Sequence, residues 1–130
     1  MFDRLEKHHL GFVVPLNEKE NIEKTFNKKF HYDATQQTHV LFIYDETLRL
    51  YKEYICQEGR AAKLKVGFTH FCYNVKDRAQ LGEIEDFIEQ NKMGYRLTTL
   101  EKSGSKECGL ITFYFLKNHG IVELNLAEKE

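Results

Sequence analysis

The sequence has a single proline and only eight glycines among 130 residues, too few of either for a disordered segment or a long flexible linker. It also lacks an excess of charge, because 19 basic residues are balanced by 20 acidic ones and the net charge is −1. A chain without surplus positive charge has no general electrostatic attraction to nucleic acid or to an anionic membrane. We therefore expect neither of them as a partner.

Long apolar runs and paired cysteines are missing as well. No stretch approaches the roughly 20 apolar residues that a membrane-spanning helix needs, and the first nine residues, MFDRLEKHH, are too polar for a secretory signal. The three cysteines, Cys56, Cys72 and Cys108, show no CxxC spacing. This usage predicts a cytoplasmic protein whose thiols are small core residues.

The chain does have enough apolar material for one core, with 42% hydrophobic residues in a length typical of a single domain. That material follows a pattern that occurs twice. Strand-like and helix-like segments come in the order βαβββ, first over about 7–55 and again over about 67–127. Equivalent features, such as His9 and His70, are about 60 residues apart. The sequence therefore predicts one α+β domain over residues 1–130, built from two similar modules.

Capping residues and apolar spacing predict the two helices. Asn17 with Glu20, and Asp77 with Gln80, have the spacing of N-terminal caps. The apolar stripes are Ile22, Phe26 and Phe30 in the first helix, and Leu81, Ile84 and Ile88 in the second, which is expected to end at Gly94. The predicted strands are 9–15, 31–35, 39–44, 48–55, 68–75, 95–100, 110–116 and 121–126. Residues 101–109, which include two glycines, are predicted as a mobile loop.

Alternation along each strand sorts the side chains into a helix-facing set and an opposite set. In the last strand the apolar, helix-facing set is Val122, Leu124 and Leu126. Glu123 then lies on the opposite face, and the same alternation places His9 and His70 on the opposite faces of their own strands. Two imidazoles and a carboxylate from three strands suit a divalent first-row metal if the two modules form one cup.

Three segments resemble the ligand strands of the vicinal-oxygen-chelate superfamily, which includes glyoxalase I, methylmalonyl-CoA epimerase and the bleomycin-resistance proteins. The segments are HLGFVV at 9–14, HFCYNV at 70–75 and GIVEL at 120–124, in the order of the family. The resemblance covers nearly the whole chain. It implies two βαβββ modules in a U-shaped, partly open mixed sheet or barrel, with the helices on the convex face. We also expect a homodimer, in which the two modules either close a cup within one chain or exchange between chains.

The same resemblance implies His9, His70 and Glu123 as ligands of a divalent metal such as Zn, Ni, Co, Mn or Fe. The fourth family ligand should come from the last strand of the first module. There Arg49, Tyr51 and Glu53 are expected to face the cup, with Leu48 and Leu50 toward the helix.

The fourth ligand position has more than one interpretation. Tyr51 falls near that position, and Glu53 is the nearest carboxylate, two residues further along. Either Glu53 binds the metal, or the site has three protein ligands, or the metal has been lost. We expect Tyr51 and Arg49 to contact the substrate, with the Arg49 guanidinium binding an anionic group.

The function that the resemblance implies is a metal-dependent isomerase, epimerase or lyase of the glyoxalase or epimerase type, acting on a small α-oxo or thioester substrate. A bound cation would stabilise the charge that develops when a C–H group beside a carbonyl loses its proton. Glu123 or Glu53 would act as the general base. The alternatives are a metal-free protein that binds a small molecule, as the resistance proteins do, and a dimeric scaffold with a vestigial cavity.

Overall fold

The computed structural model of the chain describes residues 2–127. The elements are β1 (Lys7–Val14), α1 (Lys19–Phe26), β2 (His31–Asp33), β3 (Thr38–Asp45), β4 (Leu50–Cys56), β5 (Gly67–Val75), α2 (Arg78–Gln90), β6 (Gly94–Arg96), β7 (Glu101–Lys102), β8 (Leu110–Leu116) and β9 (Gly120–Leu126). The strands form both parallel and antiparallel pairs. The predicted α+β class is therefore confirmed. The prediction of one domain over 1–130 stays a prediction, and its ends, Met1 and residues 128–130, lie outside the described residues.

The chain divides into two compact units. The first unit is His9–Thr69, and the second unit combines Met1–His8 with His70–Glu130. Strand order is β2-β3-β4-β1 in the first unit and β5-β9-β8-β6 in the second, where β7 also pairs with β8. In both units the first strand runs parallel to the last one. Each unit thus contains the βαβββ order that the sequence predicts, and β7 is an addition to it.

Helix α2 covers the apolar face of the second unit. Its predicted stripe, Leu81, Ile84 and Ile88, is buried together with Val122, Leu124 and Leu126 of β9. The Asp77 carboxylate accepts a hydrogen bond of 2.8 Å from the Gln80 N–H, and the Gln80 side chain accepts one of 2.7 Å from the Lys76 N–H. This reciprocal arrangement satisfies two backbone donors at the helix start. The predicted cap and the predicted buried stripe of α2 are both confirmed.

Helix α1 does not begin as predicted. Asn17 lies in a short 3-10 turn, Leu16–Glu18, and forms no cap. The residue before the helix is Glu18, whose side chain makes no capping hydrogen bond. The prediction failed because cap spacing in a sequence does not show that the chain will spend one turn in a 3-10 conformation before the α-helix starts.

The end of α1 also differs from the prediction. Asn27 adopts the left-handed conformation, with φ 51°, and terminates the helix after Phe26. Phe30 therefore lies beyond the helix instead of continuing its stripe. It is still buried, in a cluster with Leu41 and Cys56. Phe26, in contrast, is 39% exposed.

The turn between β3 and β4 is longer than the sequence predicts. Asp45 accepts a hydrogen bond of 2.9 Å from the Leu48 N–H through its side chain and one of 2.8 Å from the Arg49 N–H through its carbonyl. These bonds hold residues 46–49 in a turn, and Arg49 has a left-handed φ of 57°. Leu48 is 50% exposed, so its predicted orientation toward the helix is wrong. The strand begins at Leu50, which is buried as predicted.

Two boundaries in the second unit need a similar correction. Helix α2 ends at Gln90, and Gly94 instead begins β6, where a Cβ atom would overlap the carbonyl oxygen of Phe115 in β8. The predicted strand 95–100 is shortened to Gly94–Arg96. The predicted loop 101–109 contains the two-residue strand β7, which pairs with β8.

The prediction that the thiols are core residues is confirmed for two of them. Cys56 and Cys72 are fully buried, whereas Cys108 is half-buried. Burial, with a further contribution from the nearby Glu58 charge, raises the pKa of Cys56 to about 11. In the part of the chain from 2 to 127, neither helix has the length and apolarity of a membrane span.

Candidate metal centre

In the first unit, three strands bring a histidine, a glutamate and a phenylalanine together. Strands β1 and β4 pair with His9 opposite Tyr51 and Gly11 opposite Glu53. The Glu53 Oε1 atom lies 3.2 Å from His9 Nε2, and both side chains are buried. Phe42 of β3 lies opposite Glu53, and its ring meets the His9 ring edge-on, with 5.2 Å between the ring centres and 87° between the planes.

The second unit contains the same arrangement. Strands β5 and β9 pair with His70 opposite Ile121 and Cys72 opposite Glu123. The Glu123 Oε1 atom lies 2.9 Å from His70 Nε2, again with both side chains buried. Phe113 of β8 lies opposite Glu123 and meets the His70 ring at 5.5 Å and 81°.

These two sets, which we call the His–Glu–Phe triplets, match position by position. In each triplet the histidine is on the first strand of the unit and the phenylalanine is on the strand before the last. The glutamate is on the last strand, two residues beyond the one that faces the histidine. Sequence reasoning did not single out the phenylalanines, although each is placed by its hairpin register directly across from the glutamate.

No protein-family model and no curated protein sequence matches the chain. Solved structures match over nearly its whole length. A hypothetical protein from Bacillus halodurans has a TM-score of 0.68 at 13% identity, covering 98% of this chain and 97% of its own. The methylmalonyl-CoA epimerase from Mycobacterium tuberculosis has a TM-score of 0.66 at 13% identity, covering 95% and 89%. A variant of the Streptomyces coelicolor methylmalonyl-CoA epimerase in complex with 2-nitronate-propionyl-CoA has a TM-score of 0.63 at 19% identity, covering 96% and 99%.

The chain has the methylmalonyl-CoA epimerase fold. Because these epimerases are vicinal-oxygen-chelate proteins, the resemblance inferred from the three sequence segments is confirmed at the level of the fold. The low identities leave the activity and the substrate to be argued from the residues of this chain.

Within this vicinal-oxygen-chelate fold, Glu53 and Tyr51 have different positions. Glu53 contacts the His9 imidazole. Tyr51 is half-buried, and its ring meets Phe42 at 5.9 Å and Tyr44 at 5.2 Å. Of the two residues, Glu53 is the one that matches Glu123 of the second unit in strand register.

Arg49 lies outside the strand face on which the sequence analysis placed it. It is exposed in the turn that precedes β4, with the left-handed backbone described above. The predicted placement on the β4 face is therefore wrong, because the turn delays the start of the strand. The expected contact between Arg49 and an anionic group of the substrate stays a prediction.

The burial of the two glutamates favours a functional explanation. Glu53 is 7% exposed and Glu123 is 3% exposed. An ionised carboxylate is costly to bury unless a partner compensates it, and here each carboxylate has an imidazole within 3.2 Å. Each unit therefore offers one imidazole and one carboxylate as possible metal ligands, His9 with Glu53 and His70 with Glu123. Imidazole nitrogens and carboxylate oxygens are suitable ligands for a divalent first-row metal, so the donor set fits the ion that the resemblance implies.

Proposed function

We propose that the protein is a metal-dependent, epimerase-type isomerase in which His9, Glu53, His70 and Glu123 hold one divalent ion. The observation that carries this proposal is duplication. Each unit supplies a buried imidazole–carboxylate pair, built with the same strand register. One such pair alone is readily explained as a structural ion pair. Two equivalent pairs provide four imidazole and carboxylate ligands, and a metal with octahedral coordination then has two positions left for a substrate.

The chemistry divides between the ion and the protein. A divalent metal, when bound, supplies a Lewis acid for a substrate carbonyl. The protein supplies the base: Oε1 of Glu123 or Glu53 accepts the proton of the C–H group beside that carbonyl, and the electron pair of the broken C–H bond moves toward the carbonyl group. Return of the proton to the opposite face of the same carbon gives the epimer.

Two residues of the first unit are proposed to contact the substrate. Tyr51 lies opposite His9 in the β1–β4 register, so its side chain is near the metal ligands of its unit. Arg49, exposed in the adjoining turn, presents a guanidinium that can bind a carboxylate or a phosphate. The substrate class is a small α-oxo compound or an acyl thioester. Methylmalonyl-CoA is a suitable first probe because an epimerase of this fold has been solved in complex with it.

Metal content and proton exchange test the proposal together. The purified protein should contain about one divalent ion per chain, and in D₂O it should exchange the α-proton of methylmalonyl-CoA for deuterium, as followed by NMR. The variant His70→Ala should lose both properties. The matched control is His119→Ala, which removes an exposed imidazole from the same unit and should leave both unchanged.

Two results would contradict the proposal in different ways. A folded protein that ignores added divalent metals would contradict the metal site and favour metal-free binding of a small molecule. Metal binding without exchange of an α-proton in any thioester or α-oxo compound tested would leave the site in place and contradict the isomerase chemistry.

A further inference from the structure

We infer that Phe42 and Phe113 are positioning residues of the metal site, each holding the imidazole and the carboxylate of its own unit in the orientation that metal binding needs. This inference rests on the proposed function, because the orientation matters only if a metal binds. It assigns a role to two side chains that have no polar atom and cannot be ligands themselves.

In the first unit, Phe42 is paired with Glu53 across two strands and packs against His9. Its Cα lies opposite that of Glu53 in the antiparallel β3–β4 pair, and directly opposed side chains have Cβ atoms about 4.5–5.5 Å apart. Its ring meets the His9 ring edge-on. Phe42 is only 1% exposed, so its ring is held within the core.

In the second unit, Phe113 has the same relation to Glu123 and His70. It lies opposite Glu123 in the β8–β9 pair, and its ring meets the His70 ring at nearly the same distance and angle as in the first unit. The two contacts differ by 0.3 Å and 6° (5.5 against 5.2 Å, 81 against 87°). Phe113 is half-buried, which makes it easier to replace without harming the core.

The positions two residues further along β3 and β8 do not show this agreement between the two units. Two residues beyond each phenylalanine are Tyr44 and Phe115, which are 50% and 42% exposed. Tyr44 lies opposite Tyr51, whereas Phe115 lies opposite Ile121, so the two units differ there. The side chain beside each ligand pair is a phenylalanine in both units. The residues two positions further along differ, with Tyr44 in the first unit and Phe115 in the second.

A phenylalanine ring packed edge-on against the imidazole restricts rotation of the imidazole, which a single polar contact does not. The terminal torsion of a histidine side chain has a broad, shallow preference, so a contact at Nε2 does not by itself fix the rotation of the ring. A flat aromatic edge packed against the imidazole removes this freedom. Hydrogen-bonding partners that orient metal ligands typically change metal affinity by about 10–100-fold when they are replaced, and for an apolar partner we expect an effect at the lower end of that range. Leucine would keep the apolar surface and lose the flat edge.

Cobalt(II) binding tests the inference. We would measure the Co²⁺ dissociation constant by competition with a chelator, and the visible absorption spectrum of the Co²⁺ complex, for Phe42→Leu and Phe113→Leu. Each variant should bind Co²⁺ about 10-fold more weakly than the wild type, with an altered spectrum, because the spectrum reports the ligand geometry. The matched controls are Tyr44→Leu and Phe115→Leu, which make the same aromatic-to-leucine change two residues further along each strand. They should keep the wild-type Co²⁺ affinity and spectrum.

A further variant, Phe113→Tyr, keeps the ring and should retain the wild-type affinity and spectrum. If Phe42→Leu fails to fold, the comparison of Phe113→Leu with Phe113→Tyr still decides the test. Leucine variants with unchanged affinity and spectrum, or controls that weaken Co²⁺ binding equally, would overturn the inference while leaving the proposed function in place. A wild-type protein that binds no Co²⁺ would overturn the metal proposal and this inference with it.

Discussion

Glu53 and Tyr51 are two residues apart in β4, and only Glu53 reaches the His9 imidazole. Residues i and i+2 of a strand share a face, so alternation alone assigns both of them to the side that carries His9. The choice between them depends on the register of β4 against β1, in which Tyr51 lies opposite His9 and Glu53 lies opposite Gly11. This offset is the same in the second unit, where Glu123 is two residues beyond the partner of His70.

A pair of single substitutions separates the two candidates for the fourth ligand. Glu53→Ala removes a carboxylate that contacts His9 and should weaken metal binding by at least the roughly 10–100-fold seen for residues that only support a ligand. Tyr51→Phe removes only a hydroxyl group and should leave the affinity unchanged. Isothermal titration with Zn²⁺ measures both. Loss of affinity in Tyr51→Phe with retention in Glu53→Ala would reverse the assignment.

At the scale of secondary-structure elements, the two helix starts look alike in sequence and differ in the structure. Asp77 accepts a hydrogen bond from the backbone of α2, whereas Asn17 makes no such bond to α1. A helix start that is satisfied by a side chain is more stable than one left to water. The two residues therefore form a natural comparison.

Asp77→Ala should lower the free energy of unfolding by about 1 kcal/mol, because the capping hydrogen bond is lost. Asn17→Ala should have almost no effect on the same quantity. Urea denaturation followed by circular dichroism measures both variants against the wild type. Equal losses from the two substitutions would show that capping does not explain the difference between these helix starts.

The segment after α1 is tied to the helix through Glu23. The backbone N–H of Phe30 donates a hydrogen bond of 2.7 Å to Glu23 Oε2. This bond lowers the pKa of Glu23 below its usual value, opposed by burial and assisted by the charges of Lys19 and Lys29. Because the ionised carboxylate is the better acceptor, the contact stabilises the fold only while Glu23 is ionised.

This linkage gives Glu23 a predictable pH dependence. The folded pKa lies below the unfolded value of about 4.3, so the stabilisation is complete above that value and is lost as the pH falls through the folded pKa. Glu23→Gln should therefore show a smaller loss of unfolding free energy between pH 5 and pH 3 than the wild type, in urea titrations at several pH values. Glu20→Gln, an exposed change in the same helix, is the control and should follow the wild-type curve.

At the scale of the whole molecule, the proposed ion takes ligands from both units. A ligand that binds only the folded state raises the melting temperature, so added Zn²⁺ should stabilise the wild type. His9→Ala in the first unit and His70→Ala in the second should each abolish that increase, as differential scanning fluorimetry would show. If one unit held the ion alone, one of the two variants would keep the increase.

The homodimer and the cytoplasmic location stay predictions from the sequence. The assembly can be measured by size-exclusion chromatography with light scattering. These properties do not bear on the triplets, since each triplet is formed by strands of a single unit.

Much of the fold could be predicted because its signals are local. Strand alternation and helical stripes depend on neighbours in the chain, and they correctly placed the buried stripe of α2 and the apolar face of β9. The ends of helices and strands were harder to predict where the conformation of a single residue sets them. Asn27 ends α1 by adopting a left-handed conformation. Gly94 does not end α2 but lies where the backbone of β6 approaches that of β8 closely.

The sequence by itself determined the duplicated βαβββ order and the strand faces of His9, His70 and Glu123, because period and repetition are properties of the chain alone. Only the tertiary structure decided that Glu53 contacts His9, that Arg49 belongs to a turn, and that a phenylalanine packs against each pair. These outcomes depend on the register between strands that are far apart in sequence. Register is set by backbone pairing and turn length, and one step along a strand changes which side chains meet.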